Sequence, residues 1–416
     1  MAYETWIGPA YLAGMAGELG VNVRLVALVT ALPFIGSMGQ LISVWALHRL
    51  TSVKRYTIAL ALAARALWIL PPLFALLFYL HSHHQGAPFP AARWFTIIAG
   101  LACGISLLAS SSGVAWNSWM LGLVPLELRG RFFGIRQRYA MGAVVIANLI
   151  GAFWVGWKPN GFFAGYAVIS VLAILAAGMS TYLLSRVPDV AMNSKAIQQS
   201  PHKDFWQAFQ QPLRDPKFRK VVLFGAAFTG ATQIAGPYFP YFYTKELHIP
   251  MSTVALWIVG QTVGSFLSAS FWGRRIDTIK DAVPTLFICG NLMAISPLIY
   301  TLHNVSILRW IGPVEYFING IATSGFLLGS AALLYSACPR ERNVLYFSVF
   351  AAASGFAGAA STFLGGHLSQ WLNPWGGFRA LWVLASIARF AVVYGILTLL
   401  RQKRIASVHV MVSRNG

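Results

Sequence analysis

Glu315, Asn319 and Thr323 recur at four-residue spacing, so on a helix they share one face. A carboxylate, an amide and a hydroxyl in that register, set inside a membrane, make a polar stripe with a titratable head. Such a carboxylate is able to carry a coupling proton or hold a cation. Glu315 follows Pro313, and a solvated place near the outer surface is its alternative. Glu4 is the second acidic residue in an apolar run, and pairing with an arginine is its structural alternative. Other polar stripes are Thr229, Thr232, Gln233 and Gly236; Gln261, Ser265 and Ser268; and Ser106, Ser110 and Asn117. Interhelical hydrogen bonding and close packing use the same Ser, Thr and Gly residues. For a single Ser or Thr, packing is the better reading. For Glu315, Asn319 and Gln233, lining a cavity is.

Two arginines, Arg65 and Arg389, each lie about ten residues into an apolar run. Buried guanidinium groups bind anions well. The balance here favours a carboxylate partner or a side chain that reaches for the interface. His81-Ser-His83-His84 has metal-ligand residue types, yet no carboxylate lies near it in sequence. It reads as a solvated loop, and no metal or other cofactor is assigned. The glycines between Gly355 and Gly366 lack a strand and a phosphate-loop lysine, so they read as helix contacts. His367 has no evident partner for catalysis. Nothing here assembles a nucleophile with a base, so no enzyme is expected. Cys103, Cys289 and Cys338 lack metal or redox spacing and read as packing residues.

These residues must be positioned by membrane helices. Hydrophobic residues make up 57% of the 416, and charged residues only 10%, against about 25% charged in soluble proteins. Runs of about 20 apolar residues predict twelve spans: 2–19, 26–47, 56–80, 94–118, 139–157, 162–184, 221–243, 252–272, 282–302, 310–335, 346–368 and 380–400. Of the 31 Lys and Arg residues, 23 fall on the side shared by the two termini and the even-numbered loops. Six fall on the other side. That bias predicts cytoplasmic termini. It also accounts for the net charge of +20 without any nucleic acid. The first span is short, about 27 Å of helix, and carries Glu4, Gly8 and Pro9, so a missing N-terminal piece of that helix is expected.

The polar break at 186–220 divides the spans six and six. The expected units are a bundle over 1–185, a cytoplasmic loop over 186–220 and a bundle with a short tail over 221–416. A repeat supports the division. Trp116-Asn-Ser-Trp119 leads into Pro125-Leu-Glu127-Leu-Arg129-Gly130-Arg131-Phe132-Phe133-Gly134-Ile-Arg136-Gln-Arg138. A fainter copy, Pro339-Arg-Glu341 followed by Tyr346-Phe347, begins 214 residues later. The turn Trp272-Gly273-Arg274-Arg275-Ile276-Asp277 matches part of a Gly-x-x-x-Asp-Arg-x-Gly-Arg-Arg pattern. Its counterpart at Trp45 to Arg55 lacks the Asp.

With these turns and the six-plus-six organisation, the chain resembles the major facilitator superfamily over nearly its whole length. The Trp116 to Arg138 stretch looks like that of a bacterial subgroup. The resemblance implies an all-α fold of twelve transmembrane helices in two pseudo-symmetric six-helix bundles that rock about a central site. It implies that spans one, four, seven and ten face the cavity. Glu4, Ser110, Asn117, Gln233, Gln261, Glu315, Asn319 and Thr323 then become the substrate or coupling candidates. Arg129, Arg131, Arg136, Arg274, Arg275 and Asp277 become the gating candidates, with lipid headgroup contacts as the plainer use of the same charges. The third and twelfth spans, with Arg65 and Arg389, are peripheral in that fold. The expected function is secondary transport of a small solute by alternating access, with protons as a candidate coupling ion. The protein would work as a monomer in a bacterial inner membrane. A non-transporting sensor or assembly factor on the same fold is the alternative.

Overall fold

The computed structural model describes residues 9–36, 39–40, 43, 52–70, 73, 77, 90–124, 129–156, 163–189, 205–302, 305–338 and 343–412. All regular structure among them is helical. The helices are α1 (Pro9–Glu18), α2 (Val23–Gly36), α3 (Val53–Leu67), α4 (Ala91–Leu123), α5 (Arg129–Gly156), α6 (Phe163–Ser185), α7 (Phe205–Arg214), α8 (Pro216–Gln233), α9 (Phe239–Lys245), α10 (Met251–Ile279), α11 (Val283–Ile299), α12 (Val305–Ala337), α13 (Asn343–Trp371) and α14 (Phe378–Val412).

Eight helices among the described residues are long and apolar enough to cross a membrane: α4, α5, α6 and α10 to α14. The first three expected spans run partly outside the described residues. The seventh is broken: α8 ends at Gln233, a 3-10 turn covers Gly236–Tyr238, and α9 resumes at Phe239. Pro237 and Pro240 cannot donate the backbone bonds that would carry the helix through. Elsewhere the ends are set by local chemistry. Asp215 caps α8 by accepting from the backbone N–H groups of Lys217 (2.8 Å) and Phe218 (3.3 Å), with Pro216 in the first turn. Lys280 ends α10 in the left-handed region at φ 52°.

Packing follows a repeat in which six spans are added to each partner. Spans two and four pack as α2 on α4, and spans eight and ten as α10 on α12. Spans three and six pack as α3 on α6, and nine and twelve as α11 on α14. Across the halves α2 meets α13, α5 meets α10, and α1 meets α9. The α10–α12 contact is close because a Cβ on Gly320 would sit 2.0 Å from the Gln261 carbonyl oxygen. Outward faces are apolar, with Leu62, Leu175, Met179, Leu183, Leu267 and Phe356 exposed. Trp310, Trp371 and Trp375 are also exposed, placed as an interfacial aromatic belt would be.

The two ends of the bundle differ. At the end holding residues 19–25 and 246–250, one core cluster takes residues from both halves, including Tyr11, Val26, Phe95, Tyr241, Trp257 and Trp382. Hydrogen bonds cross there too. Arg24 Nε donates to Gln370 Oε1 (2.7 Å), Gln370 Nε2 to Asn22 Oδ1 (2.9 Å), and Tyr241 OH to the Val21 carbonyl (2.9 Å). At the opposite end the clusters among the described residues divide. Val53, Ala115, Trp119 and Met120 belong to the first half, and Phe218, Val221, Ala337 and Tyr346 to the second.

Candidate functional site

The break in the seventh span and a proline in the ninth create unpaired backbone acceptors. The last i to i−4 bond of α8 runs from Ile234 N–H to the Gly230 carbonyl (3.1 Å). The carbonyls of Ala231 and Thr232 therefore lie past the point where the helix supplies donors. In α11, Pro297 has no N–H, so the Met293 carbonyl four residues earlier loses its partner. Arg389, on α14, answers all three. Its Nη1 donates to the Met293 carbonyl (2.6 Å), Nη2 to Thr232 (3.3 Å) and Nε to Ala231 (3.4 Å). A planar fork of donors suits this task, and its charge persists at any working pH. Arg389 is buried, at 5% exposure.

Glu315 lies on α12 ten residues past Val305, about 15 Å along the helix axis. Pro313 precedes it within the helix, and the side chain is turned inward with 5% exposure. Its two carboxylate oxygens accept from different residues of the 282–302 span: Oε1 from the Ser296 hydroxyl and Oε2 from the Tyr300 hydroxyl. Ser296 and Tyr300 are four residues apart and so share a face.

Glu315 and Arg389 line one cavity of about 420 Å³ between the halves. Gln233, Gln261, Asn319 and Thr323 contribute amides and a hydroxyl. Phe239, Tyr243, Tyr300 and Tyr316 contribute rings, and Ala10, Thr30 and Phe34 close it from the first half. Behind this wall the aromatics interlock. The Phe239 and Trp382 rings stack at 4.4 Å, and Tyr243 lies 5.3 Å from both Trp257 and Tyr300. The volume is in the range of small-ligand pockets, and the wall joins amides and aromatic rings to a buried carboxylate.

The structure brings Gln233, Gln261, Glu315, Asn319 and Thr323 to this cavity, and also Arg389. Ser110 is half-buried on α4. Glu4 lies outside the described residues, as do the side chains of Asn117, Arg129 and Arg131 and the whole of His81 to His84. Arg274 and Asp277 are exposed near the end of α10, with Arg275 half-buried beside them. Arg65 and Arg136 line a separate cavity inside the first half. Among the described residues no group of three His, Cys, Asp or Glu stands close enough to hold a metal. Sequence reasoning missed Ser296, Tyr300, Tyr243 and Tyr316. The four-residue spacing of Ser296 and Tyr300 was the available signal, but it does not say which helix they face.

The family model described as Major Facilitator Superfamily matches residues 1–314 and 221–409. No curated protein matches the chain. Solved structures do. A mutant of the nucleoside transporter NupG superposes with a TM-score of 0.73 at 9% identity, covering 95% of this chain and 96% of the other. The xylose transporter XylE from E. coli, in a partially occluded inward-open conformation, gives 0.66 at 13% identity, with 94% of each chain covered. A variant of the E. coli fucose:proton symporter FucP gives 0.62 at 13% identity, covering 96% of this chain and 95% of the other. Identities this low establish a shared fold.

Proposed function

Because the chain belongs to the Major Facilitator Superfamily and is a secondary transporter by fold and family, we propose that the 420 Å³ cavity is its solute site and Glu315 its proton carrier. The observation that carries the reading is the pairing of Glu315 with two neutral hydroxyl donors inside that cavity. Both direct partners are neutral and stay bonded when the carboxylate takes up a proton; Arg389 acts on it only through space, from the wall of the cavity that the solute shares. The wall favours an uncharged, hydroxyl-bearing solute with a ring face. Gln233, Gln261 and Asn319 each offer both a donor and an acceptor, while rings line the remainder. The nucleoside, xylose and fucose after which those structural relatives are named fit that description.

The halves over 1–185 and 221–416 rock about this site, which is alternating access. The conformation is inward-facing in this reading. The core cluster that spans both halves lies at the end opposite the Lys/Arg-rich loops, and the clusters beside those loops belong to separate halves. The loop charges favour the cytoplasm of a bacterial cell for that end, where Arg274, Arg275 and Asp277 with Arg129 and Arg131 act at the gate in this reading.

Proteoliposomes holding the purified chain test the reading. Under an imposed pH gradient the wild type accumulates a solute from a panel of neutral sugars and nucleosides. Glu315→Gln keeps counterflow exchange but loses gradient-driven accumulation by about tenfold or more. An unchanged pH dependence in Glu315→Gln removes Glu315 as the proton carrier, and no flux for any panel member removes the solute class.

A further inference from the structure

One stretch of the ninth span, Met293 to Tyr300, holds both charges of the central cavity. Arg389 donates to the Met293 carbonyl (2.6 Å), and Glu315 accepts from the Ser296 and Tyr300 hydroxyls. Met293 and Ser296 are three residues apart, about 4.5 Å along the axis. Both charged side chains line the cavity, and each is 5% exposed. They act on each other through space.

The other contacts of the guanidinium are the Thr232 (3.3 Å) and Ala231 (3.4 Å) carbonyls at the C-terminal end of α8. That end carries the negative pole of the helix dipole. Three carbonyl oxygens from two interrupted helices thus converge on one point, with a carboxylate on the same wall. Freed carbonyls of this kind hold cations where the helices of transporters unwind.

Hydrogen bonding alone does not call for a charge there. A glutamine amide would offer two donors. A buried cation gives up its hydration, which costs far more than burying a neutral donor. Negative charge must converge on it to offset that cost, and here the carbonyl dipoles and Glu315 do so. The surroundings of Arg389 are those of a cation site, and its occupant is covalently tethered.

We propose that Arg389 is a resident cation, filling a site that would otherwise take a free cation of the same shape. It is a positioning residue. It fixes the broken end of span seven against span nine and balances the Glu315 charge within the membrane. The inference rests on the central cavity being the solute site and deepens that reading. The cavity keeps its own cation through the cycle while solute and proton come and go.

The test vacates the site in the full chain, purified in a neutral detergent. Arg389→Ala unfolds at a lower temperature than wild type, and low-millimolar guanidinium chloride raises that midpoint by binding the native state. Equimolar urea, planar but uncharged, does not raise it, and neither does choline chloride, charged but without N–H donors. Wild type, whose site is filled, does not respond to guanidinium. In proteoliposomes guanidinium restores solute counterflow to Arg389→Ala by about tenfold or more. Adding Glu315→Gln to Arg389→Ala weakens the thermal response to guanidinium, because the counter-charge is gone.

The thermal readout uses neither solute nor proton gradient, so it fails separately from the assignment of cavity and carrier. Thermal rescue in a protein that moves no solute upholds the cation site and removes the solute reading. Solute flux in wild type without thermal rescue of Arg389→Ala removes the cation site. Should Arg389→Ala fail to fold, Arg389→Lys and Arg389→Gln decide, and the lysine variant, which keeps the charge, unfolds at the higher temperature. Stabilisation of Arg389→Ala by urea as large as that by guanidinium overturns the proposal. So does an equal guanidinium response in wild type, or Arg389→Gln as stable as Arg389→Lys.

Discussion

Arg65 and Arg389 stand in opposite halves, each about ten residues into a membrane span and each lining a cavity. They are held by different kinds of partner. Arg389 is fixed by three backbone carbonyls from two helices. Those carbonyls are available because Pro297 and the break after Gln233 remove their normal donors. Arg65 donates to side-chain hydroxyls on α6, a helix that runs unbroken from Phe163 to Ser185. Its carbonyls are consumed by its own ladder. The contrast separates two uses of a buried cation. One repairs interrupted helices and cannot let go without exposing bare acceptors. The other links α3 to side-chain hydroxyls of a helix whose backbone is intact.

The largest expected effect follows from that difference. Arg389→Leu leaves three buried acceptors without donors, at about 1–3 kcal/mol for each group. A total loss of about 3 kcal/mol or more in chemical unfolding is expected, with solute binding abolished. Neither α6 group that Arg65 holds is a carbonyl. The Thr181 hydroxyl keeps its own bond to the Ala177 carbonyl (2.9 Å), so the loss in Arg65→Leu should stay below half of that figure. Equal losses in the two variants would dissolve the distinction between them.

A second substitution sharpens the cause. Pro297→Ala restores an N–H at the position that the Met293 carbonyl lacks. In wild type it should do little or cost slightly, because Arg389 already occupies the acceptor. In the Arg389→Leu background it should return about 1 kcal/mol, read as coupling in a double-mutant cycle. Simple additivity would mean that Arg389 does not act through the proline gap.

Much of this was legible in part. The Glu315, Asn319 and Thr323 face was readable from spacing, and the structure places all three on the central cavity. Pro297 was also in plain view and names the Met293 carbonyl that it deprives four residues earlier, while Pro237 marks only the break in the seventh span. The donor was not readable. Arg389 comes from 96 residues after Met293 and 157 after Thr232, and one sequence does not say that span twelve reaches between spans seven and nine. The expectation of a carboxylate for Arg389 is met only at a distance, by the charge of Glu315 on the same cavity wall, and it overlooked the backbone carbonyls that are the direct partners. Arg136 illustrates the same limit. Its place in a basic loop suggested gating, while its ring partner Trp116 lies twenty residues earlier on another helix. The two-half organisation was inferred from the Pro125 and Pro339 repeat because local spacing is readable in sequence when helix contacts are not.

The smallest effect concerns one hydroxyl. Thr181→Val is nearly isosteric and removes one acceptor from Arg65, while Ser180 remains at 3.1 Å. The Ala177 carbonyl stays within the helix ladder, so no backbone group is exposed. A loss of about 1 kcal/mol is expected, with transport through the central cavity unchanged, since Thr181 does not line it. The comparable change in the other half has no side-chain equivalent, because the acceptors of Arg389 are backbone atoms that substitution cannot delete. If Thr181→Val instead impaired solute flux as severely as Arg389→Leu, Arg65 would be part of the transport machinery. The two arginines would then be one device repeated in both halves.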